Sequence, residues 1–322
     1  MKWLNNKEVI KQLPLPIRVW AGYLKYGPSR KSGGTWGGSA IFNILSTFIR
    51  GKSFLKDVFV TLQNPASESR IVINITDFEC FNHTIDLWLY KSNEHNILLK
   101  FMKGGGVFID IGANYGVYSL YASSVGGGDS KVFSFEPQSD PAFALTQSAL
   151  KNELSNIQII QSAVSDSVGV VDFYSPKSGS GVGSVHRQHA SQRSSVNHRF
   201  VKSVSLDYFF SKNELNRVDI IKVDVEGNEK NVFVGAKKIL ETFKPYVWFE
   251  VNPSAMKVAG YTQNELFLSL RSCGYDEFYD IDKLVAGMSE SDSRVGENIS
   301  QLANVIAVPS VRKLDFLSVF SF

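Results

Sequence analysis

Val107-Phe-Ile-Asp-Ile-Gly-Ala-Asn-Tyr-Gly-Val-Tyr-Ser-Leu120 reads as a buried strand, a tight glycine turn and the first turns of a helix. Val107, Phe108, Ile109 and Ile111 suit a strand covered on both faces. Gly112 and Gly116 permit backbone geometry and close approach that a side chain resists. Val117, Leu120 and Tyr121 then recur at helical spacing. Such a turn in a parallel sheet opens a crevice at the strand's carboxyl end, where ligands of these folds sit.

The ligand class follows from what the turn lacks. A dinucleotide fingerprint needs Gly-x-Gly-x-x-Gly, whose middle glycine lets backbone approach a pyrophosphate. Here that place is Asn114, and the next glycine comes at spacing four. No Gly-Lys-Ser/Thr follows either, so a phosphate-cradling loop is not expected. A phosphate-free ligand fits better, and S-adenosylmethionine is one. Glu136 ends the next predicted strand, Lys131-Val-Phe-Ser-Phe-Glu136-Pro137, where an acid can accept both ribose hydroxyls.

The 322 residues suffice for one large α/β domain plus an extension. A net charge of +3 does not by itself imply a nucleic-acid partner. Two cysteines, Cys80 and Cys273, form no disulfide framework or Cys-rich metal site, and a reducing cytoplasm is expected. Met1 to Asn6 lacks the apolar core of a leader, and the run near Ala40 to Ile49 is too short to span a bilayer.

Residues 1–69 are expected to form an amino-terminal extension, with the catalytic domain over 70–322. Within 1–50, eight bases face only Glu8, leaving the remainder of the chain net negative. Trp3, Trp20, Tyr23, Tyr26 and Trp36 interleave with those bases, and Gly33-Gly34 and Gly37-Gly38 mark a loop. Such a segment can lie on an anionic membrane surface or dock a partner or a charged acceptor, and a solvated helical cap on the main domain is expected ahead of these.

From Arg70 to Tyr90, alternating Ile71, Ile73, Ile75 and Ile85, Leu87, Leu89 predict a strand pair turning near Phe81 to His83. Glu94 to Lys103 predicts a helix just before the first core strand, from which Glu94 or His95 could lean over the cofactor, a surface position being the expectation for both. Helix 139–153 is expected to bury Phe143, Leu145, Ala149 and Leu150, and strand 156–161 leads into Ser162-Ala163-Val164, near where an adenine would lie. Residues 168–174 read as an added strand. The polar run 175–199 predicts a long loop holding His186, His189 and His198, whose spacing matches no common zinc pattern; acceptor contact or solvent exposure is expected for them, ahead of a general-base role for one.

Strand 218–227 then ends in Asp224, Glu226 and Gly227, helix 228–242 follows, and 246–251 is a further strand. The last two strands, 275–279 and 303–308, are expected to pair as an antiparallel edge across a connecting loop. Alternating strands and helices make a doubly wound, mostly parallel α/β sheet.

Five motifs in order carry a resemblance: Asp110-Ile-Gly-Ala-Asn-Tyr-Gly116, Phe135-Glu136-Pro137, Ala163-Val164-Ser165-Asp166, Ser205-Leu206-Asp207 and Lys222-Val-Asp-Val-Glu-Gly227. Over about 94–251 the chain resembles the FkbM family of class I S-adenosylmethionine-dependent methyltransferases. The resemblance implies a seven-stranded, Rossmann-like sheet and methyl transfer to a hydroxyl oxygen. It implies cofactor contacts by Asp110, Gly112, Asn114, Gly116, Glu136 and Ala163. Tyr115 and Asn228 depart from the family's usual aliphatic residue and alanine.

Transfer to an alcohol benefits from a base within hydrogen-bond reach. Asp224 and Glu226 lie two apart, so an extended chain would point both at the acceptor. Glu226 is expected as the base, Asp224 as cofactor or acceptor anchor, and Glu250 as a second-line candidate. The two acids alone do not argue for a metal. The expected acceptor is a sugar, polysaccharide or other small hydroxylated molecule. Nucleic acid is not expected, because no basic-aromatic patch accompanies the catalytic half. The competing class is a non-catalytic binding or membrane-docking module on the same fold, against which the intact glycine turn and Glu136 weigh.

Overall fold

The computed structural model of the chain describes residues 7–13, 18, 58–63, 70–75, 92–176, 183–191, 195–213, 215–296 and 299–320. Its centre is a seven-stranded sheet of β3 (Val107–Ile111), β4 (Lys131–Phe135), β5 (Ile157–Ile160), β9 (Ile220–Val223), β10 (Tyr246–Val251), β11 (Tyr275–Asp280) and β12 (Ala303–Pro309). The order across the sheet is β11-β12-β10-β9-β3-β4-β5. All neighbours from β10 to β5 pair in parallel. β12 runs antiparallel to both β10 and β11, so the last strand inserts beside β10 and leaves β11 at the edge. The doubly wound sheet and its antiparallel edge are as expected. The connection between the edge strands is more than a loop: it carries the short helices Ile281–Val285 and Glu290–Ser293.

Strand alternation builds two cores. Phe108, Val132, Ile220, Tyr246, Trp248 and Ile306 face one side, with the helices Ser92–Met102, Val117–Gly126 and Ser139–Lys151. Ile109, Ile111, Phe133, Ile221, Val247 and Phe249 face the other, with the helices Leu206–Ser211, Glu229–Gly235, Lys237–Phe243 and Gln263–Arg271. Local chemistry starts several of these helices. Thr262 and Glu265 form a reciprocal capping box, and Ser205 and Asn252 each accept an N-terminal backbone N–H. The helix expected over 228–242 divides at Ala236, although Val232, Phe233, Ala236, Ile239 and Leu240 are all buried as read.

One inner face was read out of phase. Leu145 and Ala149 of the Ser139–Lys151 helix are buried, but Phe143 and Leu150 are exposed. Residues four apart share a helix face, and Ala142, Leu145, Ser148 and Ala149 occupy it here.

The strand pair near residue 70 is also different. β2 (Arg70–Ile75) pairs antiparallel with β1 (Val58–Gln63), so the pairing crosses the boundary expected between 69 and 70. Ile85 to Leu89 and the turn at 81–83 lie outside the described residues, as do Trp3, Trp20, Tyr23, Tyr26, Trp36 and the glycine loop at 33–38. β2 docks on the Ser139–Lys151 helix: Val72 N donates to Asn152 Oδ1 at 2.8 Å and Asn74 N to Ser148 Oγ at 2.8 Å. Gln12, ending the helix Lys7–Gln12, pairs its amide with Thr61 N and O at 2.7 and 3.0 Å, in the manner of another strand.

A second sheet of β6 (Ala163–Val164), β8 (Val196–Val204) and β7 (Gly169–Pro176) flanks the carboxyl ends of the main strands. The loop expected over 175–199 is therefore shorter. β7 runs through 176, β8 starts at 196, and the short helix Arg187–Ala190 lies between them. Among the described residues no helix is long and apolar enough to cross a membrane.

Candidate active site

Strand order reverses between β3 and β9, and a cleft opens at their carboxyl ends, the usual ligand position in such sheets. The turn after β3 is built from left-handed residues: Gly112 at φ 78°, Asn114 at φ 51° and Gly116 at φ 79°. Gly112 N and Ala113 N both donate to Phe135 O, at 2.9 and 3.0 Å, which fastens the turn to the end of β4. The next residue of that strand end completes the attachment. Glu136 Oε2 accepts from Asn114 N at 2.9 Å and Oε1 from Gln138 N at 2.8 Å. Burial pushes the Glu136 carboxyl up to about 7, against the opposing effect of those donors.

Gly112, Asn114, Glu136 and Ala163 all line the cleft, together with Phe135, Pro137 and Val164. Asp110 and Gly116 do not. Asp110 is fully buried, and its Oδ2 accepts from Ser119 Oγ at 2.6 Å, bracing β3 against the helix that follows. Burial raises its pKa, while the charge of Lys222 opposes the shift. Gly116 precedes that helix; a Cβ there would stand 2.1 Å from Leu145 Cδ1. Both residues brace the turn from beside the lining positions Ile111 to Tyr115, Val117 and Tyr118.

The opposite wall comes from β9 and β10. Asp224 and Glu226 both line the cleft, but not as alternate residues of an extended strand. β9 ends at Val223, and Glu226 sits at φ 52° beside Gly227 at φ 104°. Buried Glu229 supports this turn, with Oε1 accepting from Gly227 N at 3.1 Å and Oε2 from the Tyr261 hydroxyl at 2.7 Å. Glu250 ends β10 alongside, and one oxygen each of Asp224, Glu226 and Glu250 lie within 4.8 Å of one another. Burial first, then the charges of Asp224, Glu226 and Glu229, push Glu250 up to about 8. It therefore holds a proton near neutrality. Three carboxylates so close could also hold a divalent cation.

Three further residues here were not among the expected site residues. Lys222 is a buried cation in the apolar run of β9, and its Nζ lies 2.9 Å from Asp224 Oδ2 and 4.8 Å from the Tyr118 ring centroid. Burial pulls its pKa down, but the charges of Asp224 and Asp110 outweigh that and raise it. A lysine inside Ile-Ile-Lys-Val was itself the signal, since a buried ammonium requires a partner. Glu94 and His95, expected on a helix surface, are buried. Glu94 lines the cleft and accepts from the Tyr118 hydroxyl.

His189, expected in solvent or at an acceptor, is 5% exposed, and its Nε2 lies 2.7 Å from Glu226 Oε2. His198, by contrast, is exposed and pairs with Asp172 at 2.6 Å. Asn228, a departure from the family pattern, is buried and donates to Val164 O at 3.1 Å, joining the Glu226 turn to β6.

The model of the methyltransferase FkbM domain matches residues 110–277, just over half of the chain. The chain belongs to the FkbM methyltransferase family. The match spans the glycine turn, Glu136, both acids after β9 and Glu250. The chain's sheet carries the doubly wound order read above.

Among curated proteins, the hexuronic acid methyltransferase AglP of Haloferax volcanii is 27% identical over 147 residues, covering 45% of this chain and 56% of that protein. Among solved structures, the methyltransferase FkbM of Methylobacillus flagellatus is 13% identical with a TM-score of 0.41, covering 70% of this chain and 52% of that one. A SAM-dependent methyltransferase of Aquifex aeolicus is 15% identical with a TM-score of 0.38, covering 69% and 91%. The chain thus spans about half the length of the first two of these relatives.

Proposed function

We propose that the chain transfers a methyl group from S-adenosylmethionine to a hydroxyl of a sugar or other small hydroxylated molecule. The observation that carries this reading is one cleft with two unlike walls: a glycine turn tied to Glu136 on one side, and Asp224, Glu226 and Glu250 on the other.

The lining suits that cofactor. Asn114 Oδ1 is buried with no partner among the described residues, so it can receive a donor from a polar ligand. Gly112 brings bare backbone to the cleft, Glu136 offers acceptors to a ribose, and Phe135, Ala163 and Val164 offer apolar surface to an adenine. The acids of the far wall favour a cationic centre between the walls. When bound, the cofactor supplies an electrophilic methyl group on a sulfonium.

The remaining tasks fall to the chain. The cleft orients the acceptor hydroxyl and excludes water. Glu226 accepts the hydroxyl proton as the oxygen forms its new bond to carbon. Asp224, held by Lys222, anchors the cofactor or acceptor. The relative named for hexuronic acid favours a sugar hydroxyl as the acceptor. In this reading the chain works in the cytoplasm, and its basic segment 1–50 contacts an anionic membrane.

Incubation with methyl-labelled S-adenosylmethionine and a panel of hexoses, hexuronates and polyols tests the reading. Label should move to an acceptor oxygen. Tight binding of S-adenosylhomocysteine with no transfer to any hydroxylated acceptor would favour the non-catalytic module instead. Co-sedimentation with anionic vesicles tests the membrane contact, which fails if removal of 1–50 leaves binding unchanged.

A further inference from the structure

The segment 183–191, between β7 and β8, is fastened to the Glu226–Gly227 turn of the catalytic wall. Ser184 and Tyr174 exchange backbone hydrogen bonds of 2.8 and 2.9 Å, which sets the segment against β7. The Ser184 hydroxyl then donates to the main-chain oxygen of Glu226 at 2.7 Å and accepts from His186 N at 3.0 Å. The turn of helix that follows brings in His189, whose Nε2 meets Glu226 Oε2 at 2.7 Å. One segment therefore holds both the backbone and the carboxylate of Glu226. That residue also has φ 52°, a conformation that persists only where its surroundings enforce it.

A carboxylate only accepts, so His189 Nε2 carries the hydrogen in this pair. Nδ1 is buried and has no partner among the described residues. Among the described residues none donates a hydrogen bond to Glu226 Oε1, and Glu226 lines the cleft. The carboxylate thus has one oxygen occupied and one available.

We propose that His189 is the positioning residue for Glu226, its Nε2–H fixing the carboxylate so that Oε1 receives the acceptor's proton. A lone pair of the acceptor oxygen forms the new O–C bond as the methyl's C–S bond breaks and its electron pair leaves with sulfur as S-adenosylhomocysteine. The hydroxyl proton passes to Oε1, the O–H pair stays on oxygen, and His189 keeps its own hydrogen. This is the arrangement of a base oriented by a third group, supplied here from an insertion outside the parallel sheet. The proposal rests on the assignment of Glu226 as base.

The test compares His189→Gln, whose terminal amide can donate from nearly the place of Nε2, with His189→Asn, whose amide is too short, and His189→Leu. Acceptor kcat and KM, S-adenosylhomocysteine affinity and thermal midpoint are measured for each. The expected result is a kcat lower by about 10- to 100-fold for Asn and Leu, as for a misplaced base. Gln should recover most of that loss, and cofactor affinity should be unchanged in all three. In a Glu226→Gln background the Leu substitution should lower kcat no further, because the two residues act as a unit.

Unchanged kcat in folded Asn and Leu variants overturns the proposal. So does a rise in acceptor KM alone, which would make the segment only a wall of the cleft, or an equal loss with and without Glu226. Should Leu not fold, the Gln and Asn pair decides alone. A failed methyltransferase assignment is distinguishable, since the unaltered protein would then transfer nothing.

Discussion

A Cβ on Gly112 would stand 1.8 Å from the carbonyl oxygen of Asp224, so the turn after β3 and the loop after β9 can meet only if residue 112 is glycine. This contact joins the cofactor-side turn to the acidic wall. It also explains why Asp224 N can donate to Ile111 O at 2.9 Å, one residue beyond the end of β9. Gly112→Ala should therefore cost roughly 2–5 kcal/mol, from left-handed strain at φ 78° plus the backbone collision. Urea unfolding measures the cost. A loss under 1 kcal/mol with cofactor affinity intact would show that the two loops separate freely.

Glu136→Ala removes the acceptor of both Asn114 N and Gln138 N along with the proposed ribose contact. Loss of charge-assisted hydrogen bonds at this scale corresponds to about 10- to 100-fold in affinity. Calorimetric titration with S-adenosylhomocysteine reads it directly. Wild-type affinity in a folded Glu136→Ala variant would end the ribose assignment.

Glu226→Ala is expected to lower turnover by about 10²- to 10⁴-fold, the usual contribution of a general base. Cofactor affinity should stay within about twofold, since the residue serves the acceptor. Retained turnover would transfer the base role to Asp224 or Glu250.

The two acids raised by burial set a pH dependence of stability. Glu136 and Glu250 ionise from 4.5 upwards in the unfolded chain, but only near 7 and 8 in the fold. Between those values the folded state binds more protons than the unfolded one. Stability should therefore fall as pH rises from about 4.5 to about 8, then level. Glu250→Gln should flatten the upper part of that decline. Denaturation midpoints from pH 5 to 9 test this, and parallel slopes for the two proteins would contradict it.

Lys222→Met leaves buried Asp110 and half-buried Asp224 without their cation. Breaking a buried pair from one side costs about 3–5 kcal/mol, and the partial exposure of Asp224 puts the expectation at the lower end. Addition of Asp224→Asn should restore part of the stability. A double variant less stable than Lys222→Met alone would show that the pair is not coupled.

The elements read correctly from residues were those with local causes. Val107 to Tyr121 declared strand, turn and helix because burial period and left-handed glycines act over a few positions. Glu136 was found because a parallel neighbour strand must end beside the turn it follows. Misreadings began where a local pattern had more than one solution. Alternating isoleucines identify a strand but not its partner, and β2 pairs with β1 upstream. Apolar residues on a helix permit several phases, and here Leu145 lies against Gly116 and β2 docks at Ser148 and Asn152, while Phe143 and Leu150 face solvent.

Amino-acid order alone thus carried the sheet, the glycine turn and the acids that could do chemistry, since each follows from steric rules among near neighbours. Folding in three dimensions assigned their company: Glu250 beside Asp224 and Glu226, Glu94 over Tyr118, and His189 on Glu226. Those meetings join positions far apart in the chain. Burial, field and hydrogen bonding at such points arise only once distant strands share one edge, so no local period could announce them.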